Sequence, residues 1–281
     1  MARPLQIACL QTRPMPSIAA ALDEALPMAE TAVRAGAEML FLPEYCGGLR
    51  AEGAIYHPPA EPEATHPVLA AFRDLAAERG VWINVGSIAV PAPDGKVINR
   101  GYMIGPSGVL GHYDKIHLFD VTLSPEATYL ESGSVAPGGA ARVYRTPKAA
   151  VGHTICYDLR FPTLFRALAQ AGAEILCCPA AFTARTGAAH WHILNRARAI
   201  ENTCFVVSPC ATGAVPGGSD CYGHSLVVSP WGDVLADGGP EPGVVHATLD
   251  LDAVAETAAK IPSLQHDRPF SPPDARESDV A

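Results

Sequence analysis

The chain has 281 residues, of which 48% are hydrophobic and 17% charged, and its formal net charge is −9. That length and balance fit one large α/β domain with ample core and exclude an intrinsically disordered chain. The acidic sum, with no basic run and no interleaving of aromatic and basic residues, excludes a nucleic-acid platform. No apolar stretch is long enough to span a bilayer, and the opening residues Met1 to Cys9 lack the pattern of a secretory leader, so neither a membrane partner nor export is expected. Eight cysteines, none in a C-x-x-C pair, then read as reduced thiols of a cytoplasmic protein rather than as a disulfide framework.

Short β-rich apolar runs alternate with Ala-rich ones. Leu5 to Gln11 reads as a strand and Ser17 to Ala35 as a helix, with Ser17 as N-cap and Gly36 just past the end. Glu38 to Leu42 is a strand that runs into Pro43 and Glu44. Pro67 to Arg79 is a helix stopped by Gly80. Val81 to Val90 and Val97 to Ile104 pair around a turn at Pro93 to Gly95, and Val109 to Asp114 is the next strand. An apolar run from Ala149 to Ile155 delivers Cys156 to a strand-to-helix elbow, and Pro162 opens a helix over Thr163 to Gln170. Glu174 to Cys178 is a strand and Ala188 to Glu201 a helix. Thr203 to Ser208, Ser225 to Ser229, Val234 to Ala236 and Val244 to Asp250 are strands, and Asp252 to Lys260 is a last helix. No linker or repeat interrupts the series. Residues 1–281 read as a single domain, with 262–281 a Pro-rich C-terminal arm lying on a partner or on the surface. Hairpins mixed with βα units imply a mixed sheet with helices outside.

Three strand ends carry reactive groups: Glu44, Lys115 and Cys156. Strand ends on one side of an α/β sheet are where sites collect. Brought together, a carboxylate can take a thiol proton and return it to a leaving amine, the thiolate can attack an amide or nitrile carbon, and an ammonium can hold the oxyanion with a backbone N–H beyond the cysteine. Taken singly, each has an ordinary reading: a solvated carboxylate, a surface lysine, a packed free cysteine. Spacing along the chain does not bring the three together. A Cys–His dyad using His153, His190 or His192 fits less well, because His153, three residues before Cys156 in the same strand, would point to the other face. His190 and His192, two apart on a helix, diverge, and neither H-E-x-x-H nor C-x-x-C supports zinc.

Three motifs in order carry a resemblance. Phe-Leu-Pro-Glu44, Tyr-Asp-Lys115-Ile-His-Leu-Phe and Gly-His-Thr-Ile-Cys156-Tyr-Asp-Leu-Arg-Phe-Pro are similar to the glutamate, lysine and cysteine motifs of the nitrilase superfamily of carbon–nitrogen hydrolases. Further matches, among them Arg196-Ala-Arg-Ala-Ile-Glu201 and Tyr222-Gly-His-Ser225, extend the likeness from about Leu5 to Arg268. The resemblance implies a four-layer α-β-β-α sandwich that dimerises into α-β-β-α-α-β-β-α. It implies Cys156 as nucleophile, Glu44 as general base, Lys115 as oxyanion stabiliser, and Glu131 as a second glutamate positioning lysine and substrate. The Tyr157 amide would complete the oxyanion hole, and no metal or organic cofactor is expected. The stretch Gly111 to Asp120 resembles the branch containing omega-amidase and deaminated-glutathione amidase, which hydrolyse amides of 2-oxo dicarboxylic acids. On that likeness Arg160 meets the substrate carboxylate and Phe182 and Thr186 line the pocket. The ordinary reading of Arg160 is a salt bridge to Asp158 or another acid. His153 and the stretch Thr183 to Thr186 depart from the branch, so Arg185 is a candidate second anion contact. The alternatives are an N-carbamoyl amidohydrolase or nitrile hydrolase of the same superfamily, and a non-catalytic interaction protein retaining the fold.

Overall fold

In the computed structural model, residues 3–125, 127–271 and 273 are described. Two sheets face one another, each covered on its outer side by helices. The first has seven strands. Val135–Ala136, Val97–Gly105, Trp82–Pro91, Met39–Phe41, Pro4–Gln11 and Gly243–Asp250 lie side by side, and Gly108–Asp114 also pairs with Val97–Gly105. The second has six, in the order Arg142–Arg145, Ala150–His153, Ile175–Cys177, Phe205–Ser208, Leu226–Val228 and Val234–Asp237. Each sheet has a parallel centre flanked by antiparallel strands, and in the first sheet the short edge strand Val135–Ala136 adds on in parallel to Val97–Gly105.

Alternation along Pro4–Gln11 shows how the layers arise. Ile7 and Cys9 face the other sheet and pack with Met39, Phe41, Val151, Ile175 and Phe205. Ala8 and Leu10 face outward, onto Ala25 and Ala29 of helix α1 (Ile18–Arg34) and Phe72 of helix α2 (Pro67–Arg79). On the other side, Phe165 and Leu168 of α3 (Pro162–Gln170) and Trp191 and Ala199 of α4 (Ala184–Asn202) cover Leu176, Val206 and Leu226. The result is the expected α-β-β-α sandwich.

Helix limits follow local chemistry. Ser17 Oγ accepts from Ala20 N–H at 3.3 Å to start α1, and Gly80, at φ +68°, stops α2. α4 begins four residues earlier than expected, at Ala184, and takes in Thr186 and Gly187. A Cβ at Gly187 would lie 2.3 Å from Tyr222 Cγ, so close packing explains a glycine inside the helix. Three short hairpins also lie outside the predicted strands: Ala51–Glu52 with Ile55–Tyr56, Asp120–Ser124 with Ala127–Leu130, and Thr212–Ala214 with Asp220–Tyr222. α5 (Asp252–Lys260) leads into the C-terminal arm. The arm's first residues lie on α3, where Arg166 binds the Ser263 carbonyl and the Asp267 carboxylate. Residues 272 and 274–281 of the expected arm lie outside the described residues. Among the described residues, no helix is long and apolar enough to cross a membrane.

Candidate active site

Glu44, Lys115 and Cys156 meet in one cavity. It holds about 370 Å³ including its mouth, and its wall also takes in Glu131, Tyr45, Tyr157, Phe182 and Thr186. Each side chain arrives from just beyond a strand. Glu44 follows Met39–Phe41, Lys115 follows Gly108–Asp114, and Cys156 comes three residues after Ala150–His153. Cys156 opens a single 3-10 turn, Cys156–Arg160, with φ +49°. A left-handed cysteine is strained, and such strain persists only where the surroundings enforce it. Here the Cys156 N–H donates to the Pro179 carbonyl at 2.8 Å and the Ile155 N–H to Asp158 Oδ2 at 2.8 Å. The Tyr157 N–H, an orphan donor at the start of the turn, has no protein partner among the described residues.

Charge is concentrated behind the cysteine. Glu44, Lys115 and Glu131 are 4%, 2% and 1% exposed. Lys115 Nζ donates to Glu44 Oε1 at 2.8 Å and to Glu131 Oε1 and Oε2 at 2.9 and 2.8 Å. An ammonium has three donors, so all are used. Burial opposes the charge on Lys115, but Glu131 and then Glu44 outweigh it and hold its pKa well above the usual value. The carboxylates are held from behind. Glu44 accepts from Asn99 Nδ2 at 2.9 Å and from the Ala181 N–H at 2.8 Å. Glu131 accepts from the Phe119 N–H at 2.6 Å and from the Tyr45 hydroxyl at 3.1 Å. The Cys156 thiol is pushed well above its ordinary pKa, first by burial and then by the Glu44 charge, which Lys115 only partly offsets. Both causes favour the thiol over the thiolate, and Glu44 lies in the same cavity wall.

Asp158, fully buried, ties the cysteine turn to the lysine segment. Besides the Ile155 N–H, its carboxylate accepts from the Tyr113 hydroxyl at 2.7 Å and from the His117 N–H at 3.0 Å. It is thus not the partner of Arg160. The Arg160 guanidinium lies over the rings of Tyr157 and Phe182, 5.8 and 5.3 Å from their centroids, with Nη1 3.3 Å from His190 Nδ1. It stands behind the aromatic wall rather than in it, and among the described residues it forms no salt bridge. Arg185 is exposed and absent from the wall. His153 ends its strand and points between the sheets. Its Nε2 faces the Gly86 carbonyl at 3.3 Å, so the proton sits there, and Nδ1 accepts from Asn84 Nδ2 at 3.2 Å. Cys156 belongs to the turn beyond that strand, so strand alternation is not what separates it from His153.

Sequence reasoning missed Asn99, Tyr45 and Asp158. Asp158 alone carries a local signal, an acidic residue two places after the cysteine in a segment of apolar neighbours. Asn99 and Tyr45 are unremarkable until the strands align them.

Residues 6–259 match the family model described as carbon-nitrogen hydrolase. The chain belongs to that family. Among carbon–nitrogen hydrolases, a Synechocystis protein named deaminated glutathione amidase is 39% identical over 270 residues, which is 94% of this chain and 98% of that protein. Human omega-amidase NIT2 is 36% identical over 235 residues, 83% of this chain and 84% of that one. A solved structure superposes with a TM-score of 0.74 at 25% identity and covers 94% of each chain. It is a Glu-to-Gln mutant of an amidase from Nesterenkonia, with the acetamide moiety of fluoroacetamide added covalently at the active-site cysteine.

Proposed function

We propose that this carbon–nitrogen hydrolase is a thiol amidohydrolase that cleaves a small carboxylate-bearing amide through a thioester at Cys156. The observation that carries the reading is the sharing of one buried cavity by the Cys156 thiol and a lysine bracketed by two carboxylates. Glu44 takes the thiol proton as Sγ bonds to the amide carbon. The carbonyl oxygen becomes an oxyanion facing the free Tyr157 N–H and the Lys115 charge. Collapse expels the amine, which leaves with the proton from Glu44, and a thioester remains. Water then attacks the thioester with Glu44 again as base, giving the acid and restoring the thiol. Glu131 positions Lys115 throughout.

The substrate class follows from charge and from the relatives' names. Lys115 is engaged by two carboxylates, so the cation left for a substrate carboxylate is Arg160, behind Tyr157 and Phe182. Amides of 2-oxo dicarboxylic acids, such as 2-oxoglutaramate or deaminated glutathione, have the required anionic end. Phe182 and Thr186 line the acyl side of the cavity. The eight free, buried cysteines suit a reducing cytoplasm. Exposed Ile193, Ile200 and Trp231 on one face supply an apolar surface for a homodimer.

The test pairs turnover with mass. The Cys156→Ala variant should release no ammonia from any amide in a panel of 2-oxo-acid amides, and acid-quenched wild type should carry an acyl adduct on the Cys156 peptide. Turnover by the variant would end the proposal. Carbon dioxide appearing with ammonia would reassign the substrate to an N-carbamoyl compound, and consumption of a nitrile would reassign it to a nitrile. Arg160→Gln should raise KM for carboxylate-bearing amides by roughly 10-fold, the effect of a charge felt across the Tyr157 and Phe182 rings rather than of a direct hydrogen bond, and leave that of a neutral aliphatic amide unchanged.

A further inference from the structure

Away from the Cys156 cavity, three side chains from separate elements converge. His192 projects from the middle of α4, His224 from the turn before Leu226–Val228, and Asp237 ends Val234–Asp237. His192 Nε2 lies 2.9 Å from Asp237 Oδ2, and His224 Nδ1 lies 2.8 Å from Asp237 Oδ1. One donor atom from each residue falls within 4.8 Å of the others. We propose that His192, His224 and Asp237 form a binding site for a divalent transition-metal ion of the zinc type, separate from the hydrolytic centre.

The donor set suits such an ion. Two imidazoles and one carboxylate form a borderline-soft nitrogen and oxygen site that favours zinc over calcium or magnesium. Around a tetrahedral ion with bonds of about 2.0 to 2.1 Å, donors sit roughly 3.3 Å apart. Seating one here asks the two carboxylate contacts, 2.9 and 2.8 Å, to open by about half an ångström, and the two imidazole donor atoms, within 4.8 Å of each other, to settle at the same spacing. Three protein ligands leave a fourth position to water or a further ligand.

The second observation is how firmly the ligands are set. His224 has φ +52°, a conformation an imidazole residue adopts at a cost, and it is locked from both sides. Its N–H donates to the Gly239 carbonyl at 2.7 Å, and its carbonyl accepts from Trp191 Nε1 at 2.8 Å. Its ring stacks on Tyr222, with centroids 4.4 Å apart. Asp237 Oδ1 is oriented by the Gly239 N–H at 2.9 Å. Rigid outer contacts of this kind are what a metal site needs around its ligands. Trp191 is the immediate neighbour of His192 and packs on Phe182 of the cavity wall, with centroids 5.0 Å apart, so an ion here would clip the helix that carries Thr186 to the second sheet.

The probe is zinc chloride titrated calorimetrically into the full chain carrying Cys156→Ala, which removes the cavity thiol as a competitor. One zinc per chain is expected. Replacing His192 by Gln, which keeps the helix, or His224 by Asn, which tolerates the left-handed backbone, should weaken binding by on the order of 100-fold or more, since even outer-shell losses cost 10- to 100-fold. Circular dichroism reports that each variant is folded. Cobalt in place of zinc should give visible d–d bands without a sulfur charge-transfer band. No saturable binding, binding indifferent to both histidine variants, or a sulfur band would overturn the proposal and leave the trio as hydrogen-bonded side chains only.

Discussion

Lys115 and Cys156 show opposite uses of burial. The ammonium is held charged because two carboxylates outweigh its desolvation, whereas the thiol is held neutral because desolvation and Glu44 act together against the thiolate. The sign for Cys156 is fixed by those causes: the negative form is disfavoured, so its titration lies above that of an ordinary thiol. Thiolate absorbance at 240 nm, taken as wild type minus Cys156→Ala, should therefore stay flat through about pH 9, the ordinary thiol range. A step at neutral pH would show a resting thiolate and remove the need for Glu44 as base. Lys115→Met strands two buried carboxylates. It should cost about 3 to 5 kcal/mol of stability as well as turnover, measured by chemical denaturation. Glu44, Lys115 and Cys156 were legible because each sits in a motif at a strand end. Asn99 and Tyr45 were not, because their roles exist only across strand partners far apart in sequence, such as Asn99 reaching Glu44.

Among the elements, the cysteine turn and the lysine segment are one mechanical unit through Asp158. Asp158→Asn retains the shape but replaces an acceptor-only carboxylate with an amide that cannot accept from the Tyr113 hydroxyl, the Ile155 N–H and the His117 N–H together. It should lose about 1.5 to 3 kcal/mol. As a positioning residue, Asp158 should affect kcat far more than KM, with the Cys156 adduct still forming, only slowly. A fall in KM affinity alone would place it elsewhere in the mechanism. The central strands were readable because runs such as Leu5 to Gln11 are apolar on both faces, as sheets covered on both sides require. The rim hairpins near Tyr56, Phe119 and Cys221 were not. They are short and rich in Gly, Thr and Pro, and their pairing is imposed by the walls they close over. The start of α4 was hidden for a related reason, since Gly187 answers to Tyr222 and not to helix propensity.

In the molecule as a whole, the space between the sheets is packed with apolar side chains, and His153 lies among them. That ring stacks on Tyr113 at 5.5 Å, and burial lowers its pKa to about 4. The depressed value means that the unfolded chain takes up a proton first as the pH falls. His153 therefore contributes nothing to pH dependence above about 6.5, and stability is lost progressively between about 6.5 and 4. The loss attributable to it is on the order of 3 kcal/mol. His66, also lowered to about 4, adds its own share. Denaturant unfolding at a series of pH values should show a shallower acid slope in His153→Asn than in wild type, and equal slopes would refute the assignment. The bracketed lysine has an effect on turnover that reaches beyond bond cleavage. Before any chemistry, the pocket already houses two acidic side chains for a single amine. Converting the amide group of the proposed substrate into a second carboxylate there would set a new anion beside Glu44 and Glu131, whose charges Lys115 only partly offsets, so the product would be pushed out more strongly than its parent amide. Weak inhibition by the released acid, compared with the grip on the parent amide, is the kinetic signature to expect.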